Sequence, residues 1–98
     1  MIRRFEDVAG CIKEQVELAG FRIVCLHPQD ASPDNLVAFD ASGDEAWRAS
    51  ASQVTRSLDD FWTGVGVWAG RLVAFTWSCF RVELDARTGK ALNLTFTK

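Results

Sequence analysis

The sequence predicts an all-β domain: an antiparallel meander of seven or eight short strands joined by hairpins, with a short helical turn at its N-terminus. Three observations lead there. Apolar and polar residues alternate over short stretches, the period at which a strand turns one face to a core. Those stretches are separated by Ala19-Gly20, Ser42-Gly43, Ala69-Gly70 and Thr88-Gly89, where glycine supplies the positive φ of tight hairpins. The aromatics are seven Phe and four Trp with no Tyr, rings large enough to build a core in a short chain.

The first element is open to two readings. Phe5, Val8, Ile12 and Val16 lie at helical spacing, but Gly10 interrupts the pattern, so a helical turn leading into a strand is expected. Glu14 to Leu18 alternates with Val16 and Leu18 on one face, Ala19-Gly20 turns, and Phe21 to Leu26 returns. His27 to Pro33 holds two prolines and reads as a loop. Asn35 to Asp40 is a strand, Ala41 to Asp44 a turn, and Glu45 to Ala49 the return strand centred on Trp47. Residues 50 to 57 are small and polar, a second loop. Phe61 to Trp68 is a strand in which Gly64 and Gly66 delete two side chains, which implies a bulge or a close neighbour. Ala69-Gly70 turns, Arg71 to Trp77 returns, and Ser78-Cys79 connects tightly to Phe80 to Leu84. Asp85 to Gly89 turns again, and Lys90 to Thr97 closes the meander with Leu92, Leu94 and Phe96 on one face. No linker divides the chain, so residues 1–98 are expected to form a single domain. Trp47 and Trp77 are expected in the core. Either Trp62 or Trp68 is expected at the surface, because so small a sheet face cannot enclose every ring.

Charge and cysteine usage narrow the setting. The net charge is −2 with acids and bases mixed, which offers no basic face for direct nucleic-acid binding. No stretch approaches the roughly 20 apolar residues of a membrane span. Cys11, Cys25 and Cys79 are odd in number and widely spaced, the usage of a reducing compartment rather than of a disulfide framework. Met1 to Asp7 runs into acids instead of an apolar signal core, so a cytoplasmic location is expected.

Candidate chemistry is sparse. His27 is the sole histidine, and with Cys25 it could begin a metal site, but two further cysteines do not complete one at a recognised spacing. Cys79 has no base to activate it besides His27. Asp59-Asp60 could do acid–base work, yet the large rings of Phe61-Trp62 beside them suit an interface with a basic partner better. The expectation is a non-enzyme with no catalytic or metal residues, no cofactor and no small-molecule substrate. Its candidate partner-binding residues are Asp34, Asp44, Glu45, Asp59, Asp60, Phe61, Trp62 and Trp68, acids and rings at loops and hairpin ends.

One unit repeats. Val37-Ala38-Phe39-Asp40-Ala41-Ser42-Gly43-Asp44-Glu45-Ala46-Trp47 matches Val82-Glu83-Leu84-Asp85-Ala86-Arg87-Thr88-Gly89-Lys90-Ala91-Leu92, with one extra turn residue in the second. In each, the Asp can bond the turn backbone, the Gly supplies positive φ, and the bulky residue anchors the return strand in the core. The unit resembles the repeat of quinoprotein-type β-propellers, through Ala38-Phe39-Asp40 with Gly43 and Trp47, then Asp85 with Thr88-Gly89. A propeller needs at least four blades, and this chain has strands for two at most, so neither a closed propeller nor its cofactor is expected. Over a longer span, Ile23 to Leu26, Asn35 to Trp47 and Leu84 to Gly89 resemble small bacterial immunity proteins of contact-dependent growth inhibition systems. That resemblance implies a cytoplasmic antitoxin that binds one cognate toxin domain one-to-one, a nuclease in the expected case, and masks its active site. The alternative is a scaffolding β-module that self-associates or completes a partner's sheet.

Overall fold

The computed structural model describes residues 4–28 and 34–97. Eight antiparallel strands form two four-stranded sheets, each running in chain order. The first holds β1 (Ile12–Leu18), β2 (Phe21–Leu26), β3 (Leu36–Phe39) and β4 (Glu45–Ala49). The second holds β5 (Trp62–Trp68), β6 (Arg71–Thr76), β7 (Phe80–Leu84) and β8 (Ala91–Phe96). The expected meander is therefore present, divided into two layers, and the N-terminal turn is α1 (Phe5–Val8) followed by a 3-10 turn at Ala9–Cys11. Of the expected loop at His27 to Pro33, residues 29–33 lie outside the described residues.

The repeat seen in the sequence extends to the whole sheet. Both opening hairpins turn on Ala-Gly with positive φ at both positions, 55° and 84° at Ala19-Gly20 and 53° and 76° at Ala69-Gly70. That geometry matches the twist of paired strands. Irregularities fall at equivalent places too, at Ile12/Glu14 and Trp62/Gly64 in the first strands, and at Ala38/Phe39 and Glu83/Leu84 in the third. The second of these lies beside Gly64, where the sequence predicted a bulge or close neighbour; the space for a Cβ there is taken by the Glu14 carboxylate.

The main core lies between the sheets, built from Ile23, Cys25, Leu36, Ala38 and Trp47 on one side and Trp62, Val65, Leu72, Ala74, Val82 and Leu84 on the other. A second cluster covers the outer face of the first sheet, where Phe5, Val8, Cys11 and Ile12 pack on Val24, Leu26, Val37 and Phe39. The first sheet is thus buried on both faces, which explains the unbroken apolar runs Ile23–Leu26 and Leu36–Phe39. Among the described residues no element covers the outer face of the second sheet.

Polar groups tie the layers. Asn35 is fully enclosed; its amide donates to Leu26 O (2.9 Å) and Trp62 O (2.7 Å), and its carbonyl accepts Trp62 N–H (2.9 Å). Trp62 Nε1 donates to Ala49 O at 2.9 Å. Along the free edge of β5, Glu14 Oε1 accepts Val65 N–H at 2.9 Å and Lys13 Nζ donates to Thr63 O at 2.7 Å.

Three expectations need correction. Residues 50–57 are not all loop: Ala51–Thr55 forms a one-turn helix, α2. Its small polar residues resemble a loop, but Ala51 and Val54 face the core and Thr55 Oγ1 bonds back to Ala51 O at 3.0 Å. Trp77 is not core. Alternation along β6 turns Thr76 inward and Trp77 outward, where it stacks on Phe61 with centroids 5.5 Å apart. Leu92, expected to anchor its strand in the core, is exposed, as are Leu94 and Phe96 on the same side of β8; among the described residues the element that β8 packs on most extensively is β7.

Candidate functional site

The eight residues singled out from the sequence do not converge. Asp60 and Trp62 are buried, so neither belongs to an accessible surface. Asp60 is an internal staple. Its carboxylate accepts the hydroxyls of Thr55 (2.6 Å) and Ser78 (2.5 Å) and the N–H groups of Phe61 (3.0 Å) and Ser78 (3.1 Å). It thereby fixes the start of β5 to the β6–β7 turn. Burial works to raise its pKa, but the bonds from Ser78, Thr55 and Phe61 together outweigh burial and hold the carboxyl below its usual range. Asp59, its neighbour, is exposed at φ 61°. Phe61 is half-buried beneath Trp77.

The remaining acids serve local structure. Asp44 pairs with Arg4 across the β3–β4 turn, and Glu45 pairs with Arg48 at 2.7 Å. Asp34 is half-buried just before β3. Asp40 behaves as a turn former: it accepts Ser42 Oγ (2.6 Å), Ser42 N–H (2.9 Å) and Asp44 N–H (3.1 Å). The Ser42 hydroxyl first, then the Asp44 N–H, hold its carboxyl below the usual value. Asp85 accepts Arg87 N–H at 2.8 Å in the equivalent turn. An acidic patch built on Asp59-Asp60 is therefore not what the fold presents.

What it presents is the bare outer face of the second sheet. Alternation along β6 sends Arg71, Val73, Phe75 and Trp77 to that face, and the register adds Arg81 opposite Phe75 and Glu83 opposite Val73. Trp68 is 66% exposed and Trp77 69%. Gly66 lies opposite Val73 with open space where its Cβ would be, so a trough runs beside Trp68. The trough encloses about 400 Å³, walled by Trp68, Arg71, Arg81 and Glu83 with Asn93 and Thr95 at its far side. Arg81 lies 5.6 Å from the Trp68 ring centroid, a cation–π distance. Arg71 pairs with Glu83 at 3.3 Å.

Of the sequence candidates, only Trp68 and the half-buried Phe61 belong to this face. Phe75, Trp77, Arg71 and Arg81 were missed. A signal for them existed: in Arg71 to Trp77 both alternating sets carry apolar side chains, so one face required a cover the sequence did not supply. A second hollow of about 540 Å³ lies at the hairpin ends of the first sheet, lined by Phe5, Arg22, Phe39 and Asp40 among others. Its rings are engaged with each other and with Arg22, which sits 4.4 Å from the Phe5 centroid.

No group of three His, Cys, Asp or Glu side chains among the described residues is placed to hold a metal ion. The Cys25 thiol is enclosed 3.6 Å from Trp62 O, and burial pushes its pKa up to about 11. Among the described residues no helix is long and apolar enough to cross a membrane.

The chain belongs to a family defined by a domain of unknown function (DUF7957), whose model matches residues 7–96. The match runs from α1 to the end of β8, so the family unit is the two-sheet domain as a whole. No curated protein matches the chain.

Proposed function

Within that family, we propose that this domain acts as an immunity protein: it seats one cognate toxin domain on the bare face of its second sheet and masks the toxin's active site. The exposure of Trp68 and Trp77 on a single face shared with Arg71 and Arg81 carries the reading. Tryptophan and arginine are the side chains most enriched among the few that dominate binding energy. Leaving each ring in water forgoes on the order of 2 kcal/mol that a partner surface would recover. The class of partner rests on the resemblance of the Asn35 to Trp47 and Leu84 to Gly89 hairpins to immunity proteins, which also points to a nuclease toxin and a cytoplasmic setting. The free thiols of Cys11, Cys25 and Cys79 suit that reducing setting.

The electrostatics of the contact change from those the sequence suggested. That face holds rings beside two guanidiniums, one matched by Glu83 and one stacked on Trp68. Its complement is an apolar surface with carboxylates or backbone carbonyls at its margin, rather than a basic one.

The test is co-expression with the C-terminal domain of the protein encoded immediately upstream, followed by pull-down and a survival assay. Survival with a one-to-one complex is expected for the wild type, and its loss for Trp68→Ala combined with Trp77→Ala at unchanged thermal stability. Growth arrest that the wild-type chain does not relieve, with no complex recovered, overturns the reading.

A further inference from the structure

Two successive copies of one sheet plan have three ends to account for: the joint between them and the two outer ends. At the joint, Trp47 donates its indole N–H to Ala86 O (2.8 Å) and lays its ring where a Cβ on Gly89 would stand. At the N-terminal end the equivalent turn, Asp40 to Asp44, is filled by the chain itself. Arg4 donates to Ser42 O (3.1 Å) and pairs with Asp44, while α1 covers the sheet behind it. At the C-terminal end no described residue plays that part. Leu92, at the position of Trp47 in the repeat, is 57% exposed, with Leu94 at 40% and Phe96 at 57% beside it.

The edge of β8 is open as well. β1 carries Lys13, Glu14 and Glu17; β4 carries Glu45 and Arg48; the edge of β5 is covered by Lys13 and Glu14. β8 has neither a charge nor a proline, the devices that keep edges from pairing. Thr97 N–H turns back to Cys79 O, so alternation directs the backbone groups of Leu94 and Phe96 away from β7. Leu94 N–H is held for now by the neighbouring Asn93, whose Oδ1 accepts it at 2.9 Å, a bond that pairing exchanges for one to a carbonyl of the second copy.

We infer that β8 pairs antiparallel with β8 of a second copy across a two-fold axis at Leu94, joining two four-stranded sheets into one of eight. Head-to-tail stacking is blocked, because the first sheet's end is already occupied by Arg4 and α1. An open end that can meet only its like gives a closed, isologous dimer. The strand is self-complementary in that register: Leu94 faces Leu94, Leu92 faces Phe96, and Asn93 faces Thr95. Apolar meets apolar on one face and polar meets polar on the other. The three apolar side chains expose on the order of 300 Å² per copy, less than the ~800 Å² per partner of a stable complex, so the dimer is weak and concentration-dependent. It leaves the Trp68–Trp77 face of each copy open and does not depend on a toxin.

Sedimentation equilibrium of the chain alone, from about 1 μM to 1 mM, tests it separately from any toxin. The wild type is expected to pass from monomer to dimer in that range. Leu94→Lys sets two ammonium groups opposite each other, and is expected to weaken association about tenfold or more, with the melting temperature of dilute protein unchanged. Leu94→Cys in a Cys79→Ser chain is expected to oxidise to a covalent dimer, since directly opposed hydrogen-bonded residues stand about 5.5 Å apart at Cα, within disulfide reach. A wild type that stays monomeric throughout, or no cross-linked dimer from the cysteine variant, overturns the inference.

Discussion

Replacing Gly89 with alanine probes the joint between the sheets. Its φ of +76° is left-handed, which costs an L residue about 1–2 kcal/mol. The new methyl carbon would also stand 2.5 Å from Cδ2 of Trp47 and closer still to Cε3, well inside van der Waals contact. The ring cannot swing aside freely, because its N–H is held by Ala86 O and its body is buried in the core. Displacing it adds about 1–3 kcal/mol of overpacking, so the total loss is about 2–5 kcal/mol. Gly43 is the internal control. It holds the same place in the first hairpin at φ +90°, but its Cβ would meet only Arg4 Nη2 at an ordinary 3.6 Å. Gly43→Ala should therefore cost the backbone portion alone, about 1–2 kcal/mol. Urea unfolding of both variants at equal m-values measures the difference of about 1–3 kcal/mol, which corresponds to roughly 4–24 °C in melting temperature for a domain of this size. Adding Trp47→Leu to Gly89→Ala should remove much of the excess, so the pair is strongly non-additive. Equal losses at Gly43 and Gly89, or strict additivity with Trp47→Leu, would refute the account of the joint.

Two further outcomes follow from the same geometry. Asp60→Asn places an amide donor among four donors and should destabilise the domain by about 2–4 kcal/mol at neutral pH. Because the folded carboxyl titrates below its ordinary 3.8, its stabilisation is present above that pH and is lost as pH falls through the folded value. The variant should therefore lose less stability than the wild type on acidification below about pH 4, measured by chemical unfolding across pH. In the native chain at pH 8, exposed Cys79 should react with a thiol reagent while Cys25, enclosed and shifted to about 11, should react only on unfolding; peptide mass mapping identifies the modified sites.

The strand order and every hairpin were legible because they depend on local chemistry. Ala19-Gly20 and Ala69-Gly70 can turn only one way, and Phe80 to Leu84 alternates with a face already marked. The candidate site was not legible in the same way. Asp59 and Asp60 are chemically identical neighbours in the chain, yet one is exposed and the other holds four donors in the interior. Nothing local separates them, since the difference comes from Thr55 and Ser78 arriving from other elements. The same holds for the tryptophans: Trp62 is enclosed because Asn35, just before β3, and Ala49 of β4 seat it, whereas among the described residues no element covers Trp77.

By itself, then, the order of residues determined the period, the turns and the repeat, all properties of a few adjacent φ, ψ values and side-chain alternation. Only tertiary structure decided which face of each sheet would be dry. α1 closes the outer face of the first sheet, no described element closes that of the second, and the side of β8 that carries Leu92, Leu94 and Phe96 stays exposed. Burial is a property of what lies opposite, and what lies opposite is set by contacts between residues far apart in the chain.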